Sequence, residues 1–345
     1  MNRGIVKTIA PFRDSSLMLG VAALLTVGAL TAPAAVDTNF LLIGRSDKVE
    51  RWGVSGSGAT AVWAWTNDVL QIAPGDLAGL APAIRALAFS PDGTRLAVLA
   101  HDSKGHSRLL QYAYNPATRT AAPAGTNAGS ALLAADVGES WAVCYGPLDT
   151  NLYVSTGLGA PGFGSVVLRV DAATGAKTAF TPPLGRCGGV CFGPDSSGDG
   201  RPDLFVVDVA NRRVIACDGM TGALLRDDFI ISGGVPTTIA FLPNGGGQFY
   251  LAGHNTHCTR CRPDGIEDGV WSDANDPVFQ MAGMGPPMGE TERPVAGFYA
   301  VDEAGRVIVY RADDLSWANW FGRKDGNRHY VFAPGCGGGI TFDRR

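Results

Sequence analysis

The chain has 345 residues, a formal net charge of −4 and a sequence pI near 5.7, and 46% of its residues are hydrophobic. The acidic balance excludes the basic, phosphate-neutralising surface of a nucleic-acid binder, and the apolar content excludes a disordered chain. Its 47 glycines and 21 prolines fall between short apolar runs, and no amphipathic helix of useful length is present, which points to an all-β chain with many tight turns.

At the N-terminus, Arg3, Lys7 and Arg13 precede an apolar stretch from Leu17 to Leu30, and Ala32-Pro33-Ala34 supplies a small-x-small cleavage site. Residues 1–34 are therefore expected to be an export signal, which places the remainder, residues 35–345, in the periplasm or outside the cell. The apolar stretch is shorter than the ~20 residues of a comfortable membrane span, and no Cys follows the cleavage site for lipid attachment. No stable membrane span is expected after cleavage.

One phrase then recurs: an apolar run, a small residue, an aromatic, a turn, and a second apolar run. It reads ALAFSPDGTRLAV from Ala86, AVCYGPLDTNLYV from Ala142, GVCFGPD…DLFV from Gly189 and TIAFLPNGGGQFYL from Thr238. A weaker copy, GFYAVDEAGRVIV, begins at Gly297, and GGITFD from Gly338 is a first half only. The aromatic anchors Phe89, Tyr145, Phe192, Phe241, Tyr299 and Phe342 recur at intervals of 43 to 58 residues, the length of a four-stranded unit with its loops. The expectation is an all-β, six-bladed β-propeller with four-stranded blades. The chain opens with three strands that lack an innermost partner, and its last residues supply one, so the two termini are expected to complete one blade together and hide two sheet edges.

A second signal keeps the same register. The turns YNPATR at Tyr114, VDAATG at Val170 and CDGMTG at Cys217 suit tight hairpins with a left-handed position that Gly fills. The slot before each aromatic anchor holds Ala88, Cys144, Cys191, Ala240 or Thr341, all small, so Cys144 and Cys191 are expected to be small buried apolar residues where neighbouring blades crowd.

These phrases resemble the repeats of bacterial propellers of the NHL, YVTN and gluconolactonase-like groups, in which F-x-P-D-G and L-Y-V recur and blades close through D-x-x-T-G. The resemblance spans residues 35–345 and implies the fold; those groups include enzymes, scaffolds and surface proteins, so it does not imply one activity. The metal site of the gluconolactonase-like enzymes is not matched: the approaches to the inner strands lack the Asn, and Asp203 is followed by Leu204.

Two local clusters stand out. Asp195-Ser196-Ser197-Gly198-Asp199-Gly200-Arg201-Pro202-Asp203 sets oxygen-bearing side chains at alternate positions with Gly at the sixth, the pattern by which a short loop wraps a hard cation. Asp195, Ser197, Asp199 and Asp203 would ligate Ca²⁺, in a loop similar to those of thrombospondin type-three repeats and integrin-type propellers. Ser at the third position and Val206 at the twelfth depart from that pattern, and the alternative is an acidic turn that binds nothing. The second cluster runs from His254 to Cys261. In an oxidising compartment Cys258 and Cys261 read first as a disulfide brace and second, with His254 and His257, as a metal site; a c-type haem is disfavoured because Arg262 follows the second Cys. The acidic run Asp264–Asp276 reads as a solvated insertion.

In a propeller, the loops joining second to third strands share one face with the junctions into the inner strands. His101, His106, Arg186, His254 and His257 should therefore open on one funnel face, with Cys187 and Cys336 near it. No nucleophile elbow and no convincing Ser, His, Asp set is present. The sequence thus favours a secreted, non-catalytic module that binds an unidentified protein or glycan and is braced by calcium. The alternative is a metal-dependent lactonase- or lyase-like enzyme with a diverged site on the same face. Seven cysteines leave an odd thiol in any fully paired scheme.

Overall fold

A computed structural model describes residues 36–55, 62–77, 83–101, 106–157, 161–242, 247–254, 258–271, 278–285, 297–302, 307–311, 317–321 and 340–344. The export segment, His257 and Cys336 lie outside them. β1 (Val36–Arg45), β2 (Lys48–Ser55) and β3 (Val62–Gln71) lead through the one-turn helix α1 (Pro74–Leu77) to β4 (Ala83–Phe89), β5 (Arg95–His101), β6 (Ser107–Asn115), β7 (Thr120–Pro123) and β8 (Leu132–Ala134). Next come β9 (Ser140–Tyr145), β10 (Leu152–Thr156), β11 (Val167–Val170) and β12 (Lys177–Ala179), then β13 (Cys187–Phe192), β14 (Leu204–Asp208), β15 (Arg213–Cys217) and β16 (Leu224–Ile231). β17 (Val235–Leu242), β18 (Gln248–His254), β19 (Cys258–Cys261) and β20 (Glu267–Trp271) precede β21 (Val278–Gly285), β22 (Gly297–Asp302), β23 (Val307–Arg311), β24 (Trp317–Phe321) and β25 (Ile340–Arg344). Among the described residues no helix is long and apolar enough to cross a membrane.

The strands build a β-propeller of antiparallel sheets. Five sheets have four strands, in the orders β25-β1-β2-β3, β9 to β12, β13 to β16, β17 to β20 and β21 to β24. Five four-stranded blades stand against the six expected; the sheet of β4 to β7 departs from the pattern with a fifth strand, because β8 pairs with β6 through Leu109↔Ala134 and Leu110↔Leu132. The first strands of the sheets neighbour one another in turn: β25 on β4, β4 on β9, then β13, β17 and β21, and β21 on β25 again. The N- and C-terminal strands do pair, with Leu41, Leu42 and Ile43 opposite Phe342, Thr341 and Ile340.

Burial explains why these segments are strands. β10 and β14 are buried at every position and β5 at all but Arg95, because each sheet is covered on both faces and its second strand becomes a continuous apolar run rather than an alternation. The outer strands β7 and β12 are largely exposed and correspondingly polar or small. The apolar clusters lie between sheets: Leu42, Val49 and Val69 meet Ile84 and Leu96, Ala97 and Leu99 meet Val143 and Val154, Tyr153 and Val167 meet Val190 and Val206, and Phe205 and Val214 meet Ile239 and Phe249.

Two sequence expectations are corrected. GFYAVD from Gly297 is β22, the second strand of its sheet, and the inner strand is β21; FQMAGMG has no aromatic-turn phrase, so the repeat as read from the sequence falls one strand late and Tyr299 is not an inner-strand anchor. The run Asp264–Asp276 contains the turn at Asp264-Gly265 and then β20, so its beginning is a hairpin rather than an insertion. Cys144 and Cys191 pack against the intersheet cores as small side chains, as expected, each residue being partly buried.

Candidate functional site

The inner strand β9 is entered through Glu139, and β13 through Arg186, so these two residues occupy equivalent junctions of successive sheets on the face where the inner strands begin. The Arg186 guanidinium lies 5.0 Å from the Trp141 ring, and one of its nitrogens stands 3.7 Å from Glu139 Oε1, a loose ion pair stacked on an indole. Arg186 Nε and Glu139 Oε2 are buried and have no hydrogen-bond partner. Gly157 makes the indole's position possible: its N–H donates to the Glu139 carbonyl at 2.6 Å, and a Cβ there would strike Trp141 Nε1. The main chain at Arg186 is tied down by its N–H donating to Asp208 Oδ1 at 3.4 Å. Fully buried Asp208 also accepts from Asn211 Nδ2 at 2.6 Å and lies 3.5 Å from Arg213 Nε.

Of the funnel-face residues read from the sequence, Arg186 alone is placed in this group. His101 is buried at the end of β5, where its Nδ1 shares a 2.9 Å hydrogen bond with Ser107 Oγ, and the Ser140 N–H donates to the same oxygen at 3.0 Å. Ser107 is wholly buried, so this chain links the second sheet to the third and presents no nucleophile to solvent. His106 is exposed. His254 ends β18 with its main chain opposite Val235. Glu139 and Trp141 escape the sequence reading because neither belongs to the recurring phrase; superposing the junctions before the anchors, Glu139-Ser140-Trp141 on Arg186-Cys187-Gly188, is the signal that would have found them.

The loop read as a calcium site is held by its own main chain. Asp195 accepts from Gly200 N–H at 2.7 Å and Gly198 N–H at 2.6 Å, bonds that hold its carboxyl below the ordinary aspartate range. Asp203 is buried, which raises its pKa although it accepts from Ser196 N–H at 2.7 Å, Ser197 N–H at 2.9 Å and Gly219 N–H at 3.2 Å. Asp199 accepts from Arg201 N–H, and the Ser197 hydroxyl donates to Asp195. Among the described residues no group of three or more His, Cys, Asp or Glu side chains is placed to hold a metal ion.

The brace between Cys258 and Cys261 is corrected. Both lie on β19, three residues apart, which sets their Cα atoms roughly 10 Å apart, beyond disulfide reach. Cys261 is a free, buried thiol pushed up to about 12 by burial. Cys144, Cys187, Cys191 and Cys217 are free as well. Burial pushes Cys144, Cys187 and Cys217 up to about 12, and raises Cys191 well above the ordinary thiol value with Cys144 nearby as a second cause.

A scan against protein-family models gives no match, and a search of curated proteins gives none either.

Proposed function

We propose that the chain is an exported, non-catalytic binding module: a closed propeller in which the five-stranded sheet stands as the sixth blade, and whose inner-strand entry face takes up an extended segment of another protein. The observation that carries this reading is the Glu139, Trp141, Arg186 group. A loose ion pair whose side chains are 37% and 20% exposed, lying against an indole, offers guanidinium donors to main-chain carbonyls, a carboxylate acceptor to main-chain N–H groups and an apolar surface to the adjoining side chain. The buried Ser107 and His101 support the non-catalytic part of the reading, since the serine–histidine contact they make is a strut.

The test is a peptide selection on the immobilised wild-type chain, followed by fluorescence anisotropy of the selected peptides. They are expected to bind an Arg186→Ala, Glu139→Gln double variant at least about tenfold more weakly, a loss of about 1.4 kcal/mol. The double change removes both charges together, so neither is left stranded. Peptides that bind both proteins alike, or a selection that yields none, would overturn the reading.

A further inference from the structure

The first sheet holds a pocket of about 240 Å³ lined by Arg45, Lys48, Glu50, Trp52, Trp65 and Asp68. It is built by two irregularities in one hairpin. Val49 pairs with Leu70 but Glu50 with Asp68, and Arg51 pairs with Asn67 but Trp52 with Trp65, so Val69 and Thr66 are extra residues on β3. In a regular strand Trp65 and Asp68, three apart, would point to opposite faces. The bulge at Thr66 puts both on the face of Glu50 and Trp52, while Val49, Val69 and Leu70 enter the core with the second sheet.

The polar groups are arranged as two copies of one unit. Glu50 accepts from Arg45 at 3.0 Å and from the Trp52 indole N–H at 3.2 Å. Directly across the ladder, Asp68 accepts from Lys48 at 2.9 Å and from the Trp65 indole N–H at 3.3 Å. Two carboxylates face two cations, so the lining is neutral and favours neither an anion nor a cation. Each carboxylate retains acceptor capacity and Lys48 retains donors. Glu50 and Trp52 are buried, whereas Trp65 is 54% exposed on the outer strand, so that much of its indole is open to solvent. An uncharged ligand with one apolar face and a rim of hydroxyls matches these features: ring C–H groups lie on the indole while hydroxyls meet the flanking ion pairs. The volume is below that of a drug-sized site, ~300–1,000 Å³, and suits a single ring.

We propose that this pocket binds one neutral pyranose sugar ring, at a site separate from the Arg186 group. The probes are methyl glycosides of glucose, galactose, mannose and N-acetylglucosamine, with tetramethylammonium as a cationic competitor, read by tryptophan fluorescence and saturation-transfer NMR on the full chain. At least one glycoside is expected to saturate with a Kd on the order of 1 mM. Trp65→Ala should weaken it about tenfold or more and Trp65→Phe should restore part of the loss. The Arg186→Ala, Glu139→Gln variant should bind it unchanged, which separates this site from the entry face. Binding of no glycoside, binding that survives Trp65→Ala, or tighter binding of tetramethylammonium than of every glycoside would each overturn the proposal.

Discussion

A Cβ on Gly222 would fall on the carbonyl oxygen of Phe180, the residue that follows the outer strand of the preceding sheet. The same contact recurs around the ring. Gly175 meets the Leu133 carbonyl, and Gly265 meets the Phe229 carbonyl, each glycine ending a hairpin between third and fourth strands at positive φ. The hairpin of the second sheet has Arg119 there instead, at φ 58°, and its guanidinium lies 5.1 Å from the Phe40 ring of the first sheet. The turn glycine is thus a spacer between sheets as well as a left-handed residue.

Gly222→Ala is therefore expected to meet two penalties, roughly 1–2 kcal/mol for the left-handed backbone and about 1–3 kcal/mol for overpacking against a main-chain oxygen that cannot rotate away. Gly129, at φ +76° with nothing within 4 Å of where a Cβ would sit, meets only the first. Urea unfolding should show Gly222→Ala to be the more destabilised of the two. Equal losses would mean that the preceding sheet yields freely.

The same hairpins carry a pH dependence. In the third sheet Asp171 accepts the Thr174 N–H, its hydroxyl and the Ala173 N–H; in the fourth, Asp218 accepts the Thr221 hydroxyl, its N–H and the Met220 N–H. These bonds hold both carboxyls below the ordinary aspartate value. A depressed folded pKa contributes stability above the unfolded value, and that contribution is lost as pH falls through the folded one. In the second sheet Asn115 makes the equivalent bonds to Ala117 and Thr118 without a charge. The Asp171→Asn, Asp218→Asn double variant should accordingly fold at neutral pH and melt with a flatter acid limb than the wild type as pH falls below the ordinary aspartate range. An unchanged acid limb would count against this role.

The turns were legible because their chemistry is local: Asp171, Thr174 and Gly175 lie within five residues, and a side chain bonding its own backbone leaves a short motif. The phrases at Phe89, Tyr145, Phe192 and Phe241 were legible because each joins an inner strand to a tight turn. The last sheet was not, since Met281 and Gly283 stand in β21 where other inner strands carry the phrase. Cys258 and Cys261 looked like a loop motif until the ladder Phe249↔Cys261 made them part of a strand. The Trp65 pocket was hidden for a geometric reason. A bulge breaks the two-residue period, so reading alternate positions assigns Trp65 and Asp68 to opposite faces.

Thiol chemistry provides a check on the cysteines. Cys144, Cys187, Cys191, Cys217 and Cys261 are free and burial raises their pKa values, so a thiol-specific reagent at pH 8 should leave them unmodified in the folded chain. Denaturation without reductant should release all five. The same sample tests the acidic loop: because Asp195 and Asp203 are engaged by main-chain N–H groups, exchanging calcium for chelator is expected to leave the Tm unchanged. A calcium-dependent rise would show that the loop rearranges around an ion.

Closure gives the largest expected effect. Leu41, Leu42 and Ile43 on β1 are almost completely buried, and their main chains pair with Phe342, Thr341 and Ile340 on β25. Deleting residues 338–345 removes the inner strand that stands between β21 and β4, exposing one edge of β1 and uncovering the first strands of two neighbouring sheets. The truncated chain should melt well below the wild type and form aggregates, since an exposed apolar edge is a template for pairing with another copy. A synthetic peptide of residues 338–345 supplied in excess should raise the Tm in a concentration-dependent way, as any ligand of the folded state does. A truncated chain that melts like the wild type would show that the pairing of the termini does not hold the ring.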